Sequence, residues 1–132
     1  MIELIDVKDI GFLDRERAIF RVNESGEIGA WMVHCARSIM EDGREQLKND
    51  IYYTYWFIDG PISEGDLVVL YTKNSNSVYK EKSSSDGKKV HFFYWGLDDC
   101  LWNKEDRALV YGRFIKWKTK QFERDLEDVE PE

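Results

Sequence analysis

His34, Cys35, His91 and Cys100 are all the histidines and cysteines in the chain. Two of each is the ligand count of a structural zinc site. Their spacing does not suit one. His34 and Cys35 are adjacent, so on a strand they point to opposite faces. The short Cys-x-x-Cys and His-x-x-x-His spacings of zinc modules do not occur. A thiol nucleophile fares no better. Cys100 follows Asp98 and Asp99, whose negative charge raises a thiol pKa, and Cys35 stands in an apolar run that reads as core. Both thiols are read as reduced and buried, one bridge between them being the alternative, and both imidazoles as partly exposed. No catalytic residue, metal site or cofactor is expected.

The acids Asp98, Asp99, Glu105 and Asp106 gather around an aromatic loop. A carboxylate pair can serve glycoside hydrolysis, and oxygen ligands can hold Ca²⁺. The regular acid-and-glycine pattern of a Ca²⁺ loop is missing, so the cluster reads as a solvated turn.

Aromatic rings make the stronger signal. They are 14% of the residues, with five Trp, seven Tyr and seven Phe. Tyr52, Tyr53, Tyr55, Trp56 and Phe57 form one run, and Phe92, Phe93, Tyr94 and Trp95 another. On strands these runs put rings on both faces. Either the outward rings form a partner surface or ligand groove, or loops cover them. Tyr53, Tyr55, Phe92, Tyr94 and Trp102 are the candidate binding residues.

The elements that would carry these rings are short strands. Met1 to Val7 is a first strand. Glu16 to Val22 alternates, with Ala18, Phe20 and Val22 on one face. Ile28 to Cys35 places Trp31, Val33 and Cys35 together. Ser38 to Asp50 is polar, is interrupted by Gly43, and reads as a loop. Ile51 to Ile58 is uncharged until Asp59 and reads as a central strand covered on both sides. Leu67 to Lys73 is a core strand. Asn74 to Lys89, rich in Ser and Lys, reads as a long exposed loop or a mobile hairpin tip. Val90 to Trp95 resumes as a strand, and Ala108 to Lys118 forms one bent strand or two joined at Gly112. Regular short strands with turns between them predict an all-β fold, a two-sheet antiparallel sandwich of seven or eight strands. Residues 1–120 form the domain, and residues 121–132 form an acidic C-terminal tail expected to fray.

With 132 residues the chain can bury a core without staples. Its net charge of −7 opposes general affinity for nucleic acid or anionic membrane. No stretch nears the ~20 apolar residues of a membrane span, and the N-terminus lacks a signal-peptide pattern. The expected compartment is the cytoplasm.

The order of motifs over Ile2 to Lys118 resembles the lamin tail domain. A strand ends in Arg21-Val22-Asn23, and a Gly-x-Trp strand follows (Gly29-Ala30-Trp31). An aromatic strand ends in Trp56-Phe57. The turn and strand Ile62-Ser63-Glu64-Gly65-Asp66-Leu67-Val68-Val69-Leu70 come next. Phe93-Tyr94-Trp95 then leads through Leu101-Trp102-Asn103 to Asp106, Ala108 and Val110. The stretches 36–50 and 74–89 are long for that family. The resemblance implies an immunoglobulin-like sandwich that serves in interaction and scaffolding, without shared catalytic residues.

The function expected is therefore a non-enzymatic module that binds a protein partner, or itself as a homodimer, through an aromatic sheet face or an edge strand. One alternative is a small-ligand or carbohydrate binder. Another is a single-stranded nucleic-acid binder using Lys73, Lys80, Lys82, Lys88 and Lys89 beside the aromatic strands. The strand pattern yields a first prediction. Trp31 faces the core, so Trp31→Ala is expected to cost about 3–5 kcal/mol. A thermal midpoint equal to wild type would refute that facing.

Overall fold

The computed structural model describes residues 1–120 of the chain; the expected acidic tail, 121–132, lies outside the described residues. Ten strands follow in order: β1 (Ile2–Lys8), β2 (Arg17–Val22), β3 (Gly26–Glu27), β4 (Trp31–Glu41), β5 (Arg44–Trp56), β6 (Pro61–Ile62), β7 (Leu67–Lys73), β8 (Tyr79–Ser83), β9 (Lys89–Leu97) and β10 (Arg107–Arg113). The fold is all-β among the described residues, as the sequence predicts. A five-stranded sheet runs β1-β2-β7-β9-β8, a three-stranded sheet runs β10-β4-β5, and β3 pairs with β6. One pairing departs from the antiparallel expectation, since β9 lies parallel to β7. It enters between β7 and β8, so the β8–β9 hairpin docks onto β7 by its second strand.

The two larger sheets pack face to face. Ala18, Phe20, Val22, Val68, Leu70 and Phe93 come from the five-stranded sheet, and Trp31 and Val33 from the three-stranded one. Rings carry much of this contact. Phe57 meets Phe93 edge-on at 5.0 Å and Tyr55 at 5.1 Å, and Phe20 meets Tyr111 at 5.4 Å. Edge-to-face pairing suits the ring quadrupole. The Tyr111 hydroxyl accepts the Leu4 N–H across the sandwich at 3.1 Å. The predicted shared face of Trp31, Val33 and Cys35 is buried.

Gly29 of the Gly-x-Trp motif is needed for its size. A Cβ there would collide with the Asp59 side chain and backbone. Glu27 accepts the Gly29 N–H, and Trp56 Nε1 donates to the Gly29 carbonyl at 2.6 Å. Residues Ile28–Ala30 form a 3-10 turn before β4, where a strand is expected from Ile28.

Several other expectations are corrected. Ser38 to Asp50 is a long β-hairpin and not a loop, closed at Asp42 and Gly43 with φ of +51° and +75°. Positive φ at both central residues is the primed turn that matches strand twist. Ile51 to Ile58 is not a central strand. Its residues Ile51 to Trp56 end β5, whose outer side has no neighbour among the described residues, because β10 takes the other side of β4. Of the two readings of 74–89, the hairpin is the one found: β8 and the turn 84–88 lead into β9, and β8 is exposed. The last strand stops at Arg113, and residues 114–118 are not strand.

Glu16 sits at the base of the sandwich and is fully buried. Its carboxylate accepts the Thr72 hydroxyl at 2.7 Å and the N–H groups of Leu101 at 2.8 Å and Gly11 at 3.0 Å. Glu16→Ala strands two buried donors, the Thr72 hydroxyl and the Leu101 N–H, each costing about 1–3 kcal/mol when unpaired, and frees the part-buried Gly11 N–H. The variant is expected to lose about 3–5 kcal/mol, a large part of a single domain's stability. Urea denaturation checks this; a loss under about 1 kcal/mol, the size of one ordinary hydrogen bond, would show the knot to be dispensable.

Candidate binding surfaces

The structure separates the residues singled out from the sequence. Phe92 and Tyr94 lie on the outer face of the five-stranded sheet. Tyr55 turns inward, and burial pushes its hydroxyl pKa up to about 12. Trp102 packs edge-on against Trp95 at 6.3 Å, and Trp95 lies 5.7 Å from Tyr55. Tyr53 is 44% exposed on β5 and lines a cleft of about 280 Å³ with Asp98, Asp99 and Arg107. The five candidates therefore form no single site.

The outer face of the five-stranded sheet follows from its registers. β7 and β9 set Val69 beside Phe92 and Tyr71 beside Tyr94. β8 sets Lys80 beside Phe92 and Lys82 beside Val90. β2 contributes Arg17, Ile19 and Arg21. The Tyr71 and Tyr94 rings lie nearly parallel, 5.5 Å between centroids, with Phe92 at 6.3 Å from Tyr71. Cations stand over these rings: Lys73 Nζ at 5.0 Å and the Arg17 guanidinium at 5.9 Å from Tyr71, and Lys80 Nζ at 5.6 Å from Tyr94. Tyr71 lies in a run, Leu67 to Lys73, whose apolar composition does not distinguish it from core.

The lysines named from the sequence divide. Lys73, Lys80 and Lys82 belong to this face. Lys88 donates to the Glu64 carbonyl at 3.0 Å, and Lys89 pairs with Glu81 at 2.9 Å.

The β5 edge has a different character. Ile51, Tyr52, Tyr53 and Trp56 are 39–55% exposed, and no charge lies between Ile51 and Trp56. Trp56 is partly sheltered by Phe114 and Trp117. Tyr52 sits under the Arg107 guanidinium at 4.2 Å and donates to Asp106 at 3.2 Å.

A polar chain crosses one end of the sandwich. His91, expected to be partly exposed, is 3% exposed. Its Nε2 lies 2.8 Å from Asp66 Oδ2, and its Nδ1 lies 2.7 Å from the Tyr79 hydroxyl. That hydroxyl also reaches Glu81 at 2.8 Å. Tyr79 is pushed up to about 12, by burial first and then by Glu81. A groove of about 320 Å³, with Ile28, Ile58, Pro61 and Val78 on its walls, opens beside Tyr79. The other histidine, His34, meets Thr54 Oγ1 at 2.9 Å on the far sheet. The two histidines and two cysteines do not converge. Cys35 and Cys100 are free and buried. Burial raises the Cys100 thiol, Glu16 adds to it, and Asp99 contributes less. Burial also raises Cys35, against the nearby Arg107.

No protein-family model matches the chain, and no curated protein matches it. Among the described residues no helix is long and apolar enough to cross a membrane.

Asp66 sets the pH prediction. Burial alone would raise its pKa. The His91 ring and the N–H groups of Ser63 and Lys89 outweigh burial and hold the carboxyl below its ordinary value of 3.8. A depressed folded pKa gives stability that is fully present above the unfolded value and lost as pH falls through the folded one. Wild type is therefore expected to lose stability as pH drops from about 5 toward 2. Asp66→Asn should be less stable at neutral pH and flatter across that window. Urea midpoints measured against pH check this; parallel curves for the two proteins would rule it out.

Proposed function

We propose that this chain is a non-enzymatic interaction module, of the lamin-tail-like, immunoglobulin-like kind, that pairs with a second copy of itself through the β5 edge. The observation that carries the reading is the uncharged half of that edge, Ile51 to Trp56, with no strand beside it among the described residues and large side chains exposed along it. Unpaired backbone N–H and C=O groups in such a row are a template for another strand. Natural edges are blunted by short length, charge or irregularity. At the other edge of that sheet β10 carries Arg107 and Arg113, and on the five-stranded sheet β8 carries Lys80, Glu81 and Lys82 while β1 shifts register between Leu4 and Asp6. β5 lacks charge in this half, although it bulges against β4 near Tyr52.

A two-fold antiparallel join of β5 to β5 is the closed solution for one edge. It would merge two three-stranded sheets and cover Ile51 and Tyr53, while Phe92 and Tyr94 would stay outside the interface. The reduced state of both cysteines agrees with a cytoplasmic setting, which belongs to the same proposal.

The test is mass by light scattering during size-exclusion chromatography. Wild type at micromolar concentration is expected as a dimer, and Tyr53→Lys as a folded monomer. Tyr55→Lys instead places a charge in the core and should unfold the chain. A wild-type monomer across the whole concentration range would overturn the reading, and so would a Tyr53→Lys dimer.

A further inference from the structure

We infer that the outer face of the five-stranded sheet binds single-stranded nucleic acid, with bases on Tyr71, Tyr94 and Phe92 and phosphates on the lysines and arginines around them. This surface lies on the opposite sheet from the β5 edge, so the inference stands apart from self-association.

Charge complementarity selects the occupant. Arg17, Arg21, Lys73, Lys80 and Lys82 point out on this face, while its acids, Glu3 and Asp6, are confined to the β1 margin. Among the described residues Arg21, Lys73, Lys80 and Lys82 make no ion pair, and Arg17 pairs only with Asp9. A chain of net charge −7 has thus gathered uncompensated cations on one open sheet. The negative charge lies largely elsewhere. Residues 121–132 contain six acids and one arginine, and so account for −5 of the −7.

The rings select single strands over other polyanions. Rows of cations alone would suit any anionic polymer. Three half-exposed rings in a row, side by side on adjacent strands, suit planar groups, and every base offers a π-face. In a duplex those faces are stacked inside and cannot reach the sheet. The lysines over Tyr71 and Tyr94 do not block this. An exposed cation–π contact is weak, and a lysine head on its flexible stem is free to swing aside. A base can replace the ammonium on the ring while the ammonium moves to a phosphate. Adjacent rings and cations on one open sheet supply both halves of single-strand recognition.

The experiment is fluorescence anisotropy of labelled oligo(dT) and oligo(U), titrated with the full chain. Binding is expected at low salt. With about four phosphates neutralised, affinity should fall about fiftyfold between 50 and 200 mM salt. Tyr94→Ala should weaken binding by about tenfold or more. The double variant Lys80→Glu with Lys82→Glu changes only exposed side chains, so it should fold as wild type, with an unchanged thermal midpoint, and lose binding by a similar factor. Tyr53→Lys, which targets the other sheet, should bind an oligonucleotide too short to span two faces as wild type does. Absence of binding at 50 mM salt would overturn the inference. Binding that survives both the Tyr94→Ala and the double lysine variant would also overturn it. Equal affinity for duplex DNA would remove the stacking half of the argument, and equal competition by polyglutamate would make an acidic peptide the occupant; either result overturns it too.

Discussion

Among the described residues no basic side chain bonds the buried carboxylate of Glu16, and the chain around it is arranged to supply donors instead. An unpaired buried charge is among the costliest features a fold can carry. Here the donors come from three separate regions. Gly11 belongs to the turn after β1, Thr72 to the end of β7, and Leu101 to the loop between β9 and β10. The backbone of Glu16 adds two more ties, since its carbonyl accepts the Thr72 N–H and its N–H donates to Phe12. One residue thereby fixes where β2 begins, where β7 ends, and how the loop to β10 returns. β10 in turn flanks β4 and leaves β5 as the edge of the second sheet. The same knot bears on the Cys100 thiol, which burial and Glu16 hold in its neutral form.

Asp66 and His91 play the matching part at the other end. Asp66 accepts the N–H groups of Ser63 and Lys89 and holds the His91 ring, so the turn before β7 is tied to the start of β9. β7 and β9 are parallel, and no hairpin can set the register of a parallel pair. The Asp66 contacts provide local polar ties across that pair close to where Leu67 meets Val90. Between the two polar anchors the core is apolar and rich in rings, and it holds the sheets together through Phe20, Phe57, Phe93 and Tyr111 without a disulfide.

How much of this was legible depends on how far each signal reached along the chain. Strand faces follow from a period of two residues, so the burial of Trp31, Val33 and Cys35, and of Ala18, Phe20 and Val22, could be read locally. The β4–β5 hairpin was missed although its Asp42-Gly43 turn is a strong hairpin signal. The strands beside that turn project beyond the core, so Arg44 to Asp50 carry no alternating apolar pattern, and a polar stretch of this kind looks the same as a loop. The edge position of β5 depends on which strand reaches β4 from the far end of the sequence, and no local pattern encodes that. The polar anchors were illegible for the same reason. The donors to the Glu16 carboxylate lie 5, 56 and 85 residues away in sequence. Two of the three rings of the aromatic face, Phe92 and Tyr94, stand in a run that sequence alone marks as aromatic. The third, Tyr71, follows the apolar run Leu67 to Leu70, in which no polar residue marks the outward face.

The fold also explains how one small sandwich can offer two unlike surfaces. A sheet that packs a single inner face has an outer face free to differ from it. On the five-stranded sheet the outer strand positions carry cations around rings, and the bordering edges β1 and β8 are irregular or charged. Such a sheet resists strand addition and presents its flat face to a ligand. On the three-stranded sheet the balance is reversed. Trp56 on its outer side is partly sheltered by Phe114 and Trp117, while among the described residues no strand flanks β5. That sheet therefore offers its edge more readily than its face. Charge on the edges of one sheet and its absence along the Ile51 to Trp56 half of β5 would direct the two proposed contacts to different sheets. A dimer joined at β5 would then leave both copies' aromatic faces uncovered. Two such faces on one particle would raise the effective concentration for a polymer long enough to span them.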